Sequence, residues 1–97
     1  MAETVKYHPS ITTDTGRKVV YIIEGCNSHD TKREDISRKT HLIEDLAYES
    51  TDILDAILYM ESKFNIDIPD VDAEKLKTIG AIIDYVDNIL ARKLQEA

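Results

Sequence analysis

The chain has 97 residues, 42% hydrophobic and 32% charged, with a single cysteine and a net charge of −7. That is enough for one small domain with a modest core, and it leaves little apolar area for a deep enclosed active site. No apolar run approaches the roughly 18 residues of a membrane span, and lone Cys26 excludes an internal disulfide.

Residues 1–16 are polar, contain Pro9 and lack sustained periodicity, so they are expected to be a mostly disordered extension before the folded part at 17–92. The N-terminus lacks the basic-then-apolar order of a signal peptide, which makes a cytoplasmic location the expectation. "GRKVVYIIEGC" (16–26) carries two conflicting signals. Val19, Ile22, Ile23 and Cys26 follow the i, i+3, i+4, i+7 helical pattern. The β-branched and aromatic run between two glycines locally favours a strand, with a hairpin through "TDTG" as one way to pair it.

"NSHDTKREDISRKTH" (27–41) reads as a long surface loop with one apolar residue, Ile36, as its pin to the core. "LIEDLAY" (42–48) offers Leu42, Ile43 and Leu46, enough for one short turn. From Thr51 to Phe64 the helical pattern is strong: Ile53, Ala56, Ile57, Met60 and Phe64 share one face, with Leu54 and Leu58 beside it. Asp52, Asp55 and Glu61 fall mainly on the polar side. Pro69 ends the helix near Asn65 by forcing its predecessor to extend. A short helix is expected around Ala73 to Leu76. A last helix follows, with Thr78 as N-cap and Ile79, Ile82, Ile83, Val86, Ile89 and Leu90 as its apolar stripe; residues 93–97 are left as a tail.

The charge is unevenly placed. Residues 1–40 carry seven Lys/Arg and six Asp/Glu, whereas residues 41–97 carry five and thirteen. Between Glu44 and Glu74 stand ten acids and one base, Lys63. Such a field opposes nucleic acid and anionic membranes and attracts basic protein surfaces.

Most catalytic and metal patterns are absent. In "DVDAEK" the sixth position of an EF-hand loop is Lys75 instead of glycine, and the twelfth is Ala81 instead of glutamate. Cys26, His29 and His41 match no zinc spacing and lack a fourth ligand; a small buried thiol and solvated imidazoles are the expectation. There is no nucleophile elbow, phosphate loop or dinucleotide fingerprint. The remaining chemistry-bearing group is Ser50, at the start of the acidic helix. Serine is a favoured N-cap, as is neighbouring Thr51, so capping competes with chemical use of the hydroxyl.

The segments "EDLAYESTDILDAILYMESKFNIDIPD" (44–70) and "DAEKLKTIGAIIDYV" (72–86) resemble the acyl carrier proteins. The match covers roughly residues 19–86 and is ungapped from Glu44 to Val86. The order is the family's: E-D-L, D-S-L, an acidic amphipathic helix, F, I-P-D, then D-A-E, T and I-D-Y. The resemblance implies an all-α four-helix bundle of three longer helices and one short. This includes a helix at 17–26, where tertiary context outweighs strand propensity. It implies 4'-phosphopantetheine joined to Ser50 by a phosphopantetheinyl transferase, and a carrier without catalysis of its own. Acyl-transfer, synthase and elongation enzymes with basic surfaces would dock on Glu49, Thr51, Asp52, Leu54, Asp55, Leu58 and Glu61. The core face of Ile53, Ala56, Ile57, Met60, Phe64, Ile68, Leu76, Ile79, Ile83 and Val86 would shelter an acyl chain. A monomer is expected, without metal, nucleic acid or membrane partners. Two positions depart from the family pattern: Glu49 replaces its Asp and Thr51 its Leu. They keep open an alternative, an unmodified interaction protein that docks through the acidic helix while Ser50 only caps.

Overall fold

The run Val19-Val20-Tyr21-Ile22-Ile23 is helical in the structure, a computed structural model that describes residues 6–26 and 32–96. The first helix, α1, spans Asp14–Cys26 and buries Val19, Val20 and Ile23, while Tyr21 points outward. Burying one side of a helical surface outweighs the modest strand preference of these residues. No hairpin passes through residues 13–16. Thr13 Oγ1 instead accepts the N–H of Gly16 at 3.0 Å, an N-cap at the head of α1.

Of the expected extension, residues 1–5 lie outside the described residues, and residues 6–16 are packed onto the fold instead of disordered. His8, Pro9 and Ser10 form a turn closed by the Ile11 N–H on the His8 carbonyl at 2.9 Å, and Ile11 lies in the core. Ser10 Oγ accepts the N–H of Arg38 at 3.1 Å, which ties this strap to the loop after α1. One apolar residue without periodicity carries no pattern, so the packing is invisible in sequence.

Helix α2 spans Ser50–Phe64 and buries Ala56, Ile57 and Met60, with Ile53 and Phe64 half-buried. It stops at Asn65, which adopts the left-handed conformation (φ 57°) that suits asparagine at a helix end. Helix α3 is Asp70–Ala73, ahead of the expected Ala73–Leu76. Pro69 sets its start: the proline carbonyl accepts the N–H groups of Asp72 and Ala73 at 2.9 Å each. Helix α4 spans Ile79–Glu96, so most of the expected tail is helical. The Thr78 hydroxyl accepts the Ala81 N–H at 3.2 Å, as a cap should. Near the other end of α4, Lys93 donates to the carbonyl of Asn65. The described residues therefore form three long helices and one short one, and none is long and apolar enough to cross a membrane.

The long loop is a structural member. Ile36 is fully buried, as its isolation among polar residues implies, and a 3-10 turn at Arg33–Asp35 precedes it. Its last residues pair with the chain entering α4. Leu42 N–H reaches the Lys77 carbonyl at 2.9 Å, Ile79 N–H reaches Thr40 at 3.0 Å, and Gly80 N–H reaches Arg38 at 2.8 Å. This approach explains Gly80, otherwise a poor helix residue. A Cβ there would meet the Arg38 carbonyl oxygen at 3.0 Å.

Ile36→Ala is expected to cost about 2–5 kcal/mol in urea denaturation, since it opens a cavity where the loop meets the core. Tyr85 gives an alkaline test. Burial, and then the hydrogen bond it donates to Asp72 at 2.7 Å, push its phenol up to about 12 from 10.0. The folded state thus favours the neutral phenol. The associated stability is intact below pH 10 and fades as pH rises towards about 12. Denaturation midpoints of Tyr85→Phe should fall less over that window than those of the wild type.

Candidate functional site

Ser50 is presented by a short segment whose every step is fixed. Leu42 and Leu46 are buried, and the turn between them is closed by the N–H groups of Asp45 and Leu46 on the His41 carbonyl, at 2.9 and 3.2 Å. The His41 imidazole is not merely solvated. Its Nδ1 accepts the N–H groups of Ile43 and Glu44, both at 3.2 Å. Ala47 then takes a left-handed conformation (φ 56°), which is uncommon for a residue with a Cβ. The reversal drives Tyr48 inward, where its buried hydroxyl donates to the Ile23 carbonyl of α1. Burial raises the Tyr48 phenol well above its ordinary value, so at neutral pH this anchor stays protonated.

Two residues after that anchor stands Ser50, the first residue of α2. Neither Ser50 nor Thr51 is the N-cap. Glu49 holds that position, and Asp52 reaches back to accept the Glu49 N–H at 2.9 Å, the reciprocal half of a capping box. The Ser50 side chain is exposed, and its hydroxyl has no hydrogen-bond partner among the described residues. It therefore sits at the positive end of a helix dipole, released from the local bond that capping would have required.

Beside Ser50 opens a groove of about 630 Å3 between the 42–43 turn, α2 and α3. Ile53, Leu54 and Ile57 form one wall; Ala73, Leu76 and Lys77 form the other; Leu42 and Ile43 close the end. Of the ten core-face residues, Ile53, Ile57 and Leu76 line this groove and the other seven do not. Leu42, Ile43, Ala73 and Lys77 also line the groove, a placement that follows no helical period in the sequence. The α3 wall is held by the Tyr85–Asp72 bond, and Glu61 Oε2 accepts the Ile68 N–H at 2.8 Å to fix the α2–α3 connection.

The residues expected to dock partners separate into two groups. Ser50, Leu54 and Leu58 follow at i, i+4 and i+8 on one stripe, with Thr51 and Asp55 alongside. Leu54 and Leu58 are 56% and 61% exposed, and Glu49, Thr51 and Asp55 are exposed too. Asp52 and Glu61 are half-buried and already hold backbone N–H groups. Among the described residues no group of three His, Cys, Asp or Glu side chains could hold a metal. His29 lies outside the described residues. Cys26 is half-buried, with its thiol pushed up by burial and then by Asp55 and Asp52, which makes it a poor thiolate.

The sequence is 37% identical to the acyl carrier protein of Wolinella succinogenes over 54 residues, 56% of this chain and 71% of that protein. It is 43% identical to the acyl carrier protein of Campylobacter jejuni over 54 residues, 56% of this chain and 70% of that one. The fold is similar to the solution structure of a candidate acyl carrier protein from Anaplasma phagocytophilum. The TM-score is 0.69 at 30% identity, covering 78% of this chain and 88% of that one. No protein-family model matches the chain.

Replacing Ala47 by glycine should relieve the left-handed backbone that leads into Ser50. The gain from removing the Cβ, about 1–2 kcal/mol, exceeds the added unfolded-state entropy of glycine, about 0.5–1 kcal/mol. A net stabilisation is therefore expected in equilibrium denaturation.

Proposed function

This chain belongs to the acyl carrier protein family, whose members are carriers and not catalysts, and from that premise we propose that Ser50 bears 4'-phosphopantetheine. When bound, that group supplies a terminal thiol on which acyl intermediates are held as thioesters. The observation that carries the reading is the exposed Ser50 hydroxyl at the start of α2, without a hydrogen-bond partner among the described residues and beside an apolar groove.

The residues fit the group on three counts. The Ser50 oxygen is accessible to a phosphopantetheinyl transferase and is not spent on capping. The α2 N-terminus offers positive potential to a phosphodiester on that oxygen. The groove walls of Ile53, Ile57 and Leu76 offer apolar surface to an acyl chain, at roughly 25 cal/mol for each Å2 withdrawn from water.

Delivery is a matter of docking. Glu49 and Asp55 attract basic surfaces, and exposed Leu54 and Leu58 supply a small apolar contact suited to brief encounters. Partners of this chemistry are the transferase itself and the acyl-transfer, synthase and elongation enzymes of fatty acid, lipid or polyketide biosynthesis, working in the cytoplasm. Thr51 withdraws one apolar contact next to Ser50, which favours a transferase that does not depend on it. The alternative of an unmodified docking protein assigned Ser50 to capping, and Glu49 occupies that position.

Incubation with coenzyme A and a broad-specificity phosphopantetheinyl transferase should raise the intact mass by one phosphopantetheine. Ser50→Ala should abolish the gain while leaving the circular dichroism spectrum unchanged. An unaltered wild-type mass with every transferase tried, or a persisting gain in Ser50→Ala, counts against the assignment.

A further inference from the structure

A second groove, of about 530 Å3, lies between α1, α2 and the N-terminal strap. It occupies the far side of α2. Tyr59 follows Ser50 by nine residues, which at about 100° per residue is half a turn round the helix. The carrier role described above uses none of its residues. Three of the chain's five tyrosines line it: Tyr7, Tyr21 and Tyr59. Tyr21 and Tyr59 are 63% and 62% exposed.

The charge here is inverted. In a chain of net −7, the groove lining holds Arg17, Lys18 and Lys63 against Asp14 alone. Asp14 is already paired with Lys18 at 3.2 Å, so within the lining Arg17 and Lys63 face no carboxylate. Arg33 lies 5.4 Å from the Tyr7 ring centre and 5.6 Å from that of Tyr21, and Glu24 holds its guanidinium through two hydrogen bonds. Two of the three rings are thereby ordered before any partner arrives, which lowers the entropic cost of binding. Exposed tyrosines beside cations match the composition of interface centres, where Tyr and Arg supply a disproportionate share of the energy.

We propose that this groove docks an acidic segment of a partner protein, one that sets carboxylates beside Arg17 and Lys63 and an apolar side chain among the tyrosines. A nucleic acid fits less well, because its phosphate chain would extend into the field of the ten acids between Glu44 and Glu74. An acidic peptide can confine its carboxylates to the part that meets the two cations, whereas a nucleic acid carries a charge at every step. Because the groove lies opposite Ser50, a basic enzyme on the Leu54–Leu58 stripe and an acidic segment here bind together without collision. The inference does not depend on modification of Ser50.

The test is an NMR titration of the isotope-labelled full chain with a synthetic Glu/Leu dodecapeptide. The probes for comparison are its Lys/Leu counterpart and an oligothymidylate of equal length. The acidic peptide should shift the amides of Tyr21, Ser62 and Lys63 saturably. Tyr59→Ala and the double variant Arg17→Glu/Lys63→Glu should each weaken it by about tenfold or more. Ser50→Ala, and a control of equal charge change, Lys39→Glu/Lys75→Glu, should leave it unchanged. Any of four results overturns the proposal. They are no saturable shift, equal weakening by both double variants, tighter binding of the oligothymidylate, or self-association through the groove that Lys63→Glu removes.

Discussion

The position of Ser50 depends on one constraint, the pairing of the loop at Arg38–Leu42 with the chain at Lys77–Gly80. Three backbone hydrogen bonds join them, and Ile36 seals the loop to the core just upstream. Loops usually run over the surface because their polar backbone needs water. Here the second half of a long loop satisfies its backbone against the start of α4 and can therefore pack like a fifth structural element. Everything that presents the serine hangs from that attachment: the 42–46 turn, the reversal at Ala47, the Tyr48 anchor on α1, and then α2.

The same arrangement leaves the serine side chain exposed. A hydroxyl at a helix start is ordinarily drawn into a local bond with the backbone. Glu49 and Asp52 close that end of α2 between them, so Ser50 is one residue inside the helix with its oxygen outward. The helix supplies the field and rigidity, and the neighbouring acids supply the cap. Sites built on rigid elements with their supporting bonds already made are the ones that hold their geometry. The acidity of the region thus divides into two roles. Asp52 and Glu61 hold backbone groups inside the fold, while Glu49 and Asp55 face solvent where a basic partner would meet them.

Much of this was legible in the chain, and the exceptions have physical causes. Helices α2 and α4 were readable because their apolar residues recur at helical spacing and Pro69, Asn65 and Thr78 punctuate them. The run at Val19–Ile23 was ambiguous, since its composition and its period point to different structures; only burial between α2 and α4 decides. Helix α3 was misplaced because four residues hold no period, and its start is set by the carbonyl of Pro69 and not by an apolar pattern. Ile11 and the groove residues Leu42, Ile43, Ala73 and Lys77 owe their roles to contacts across the fold, which no local signal encodes. Ser50 was recognisable as a special position but not as an uncapped one. Both Ser50 and Thr51 suit a cap better than Glu49 by propensity, and the reciprocal bond from Asp52 reverses that ranking.

In the proposed role Ser50 carries a prosthetic arm and, on it, an acyl cargo beside the α2–α3 groove. Top-down mass spectrometry of the protein isolated from its own cells addresses it most directly, because fragmentation locates any adduct on the chain. A phosphopantetheine mass is expected on the fragment containing Ser50, together with a further mass that neutral hydroxylamine releases, as it does thioesters. A chain that carries no adduct, or carries it at a residue other than Ser50, would contradict that role.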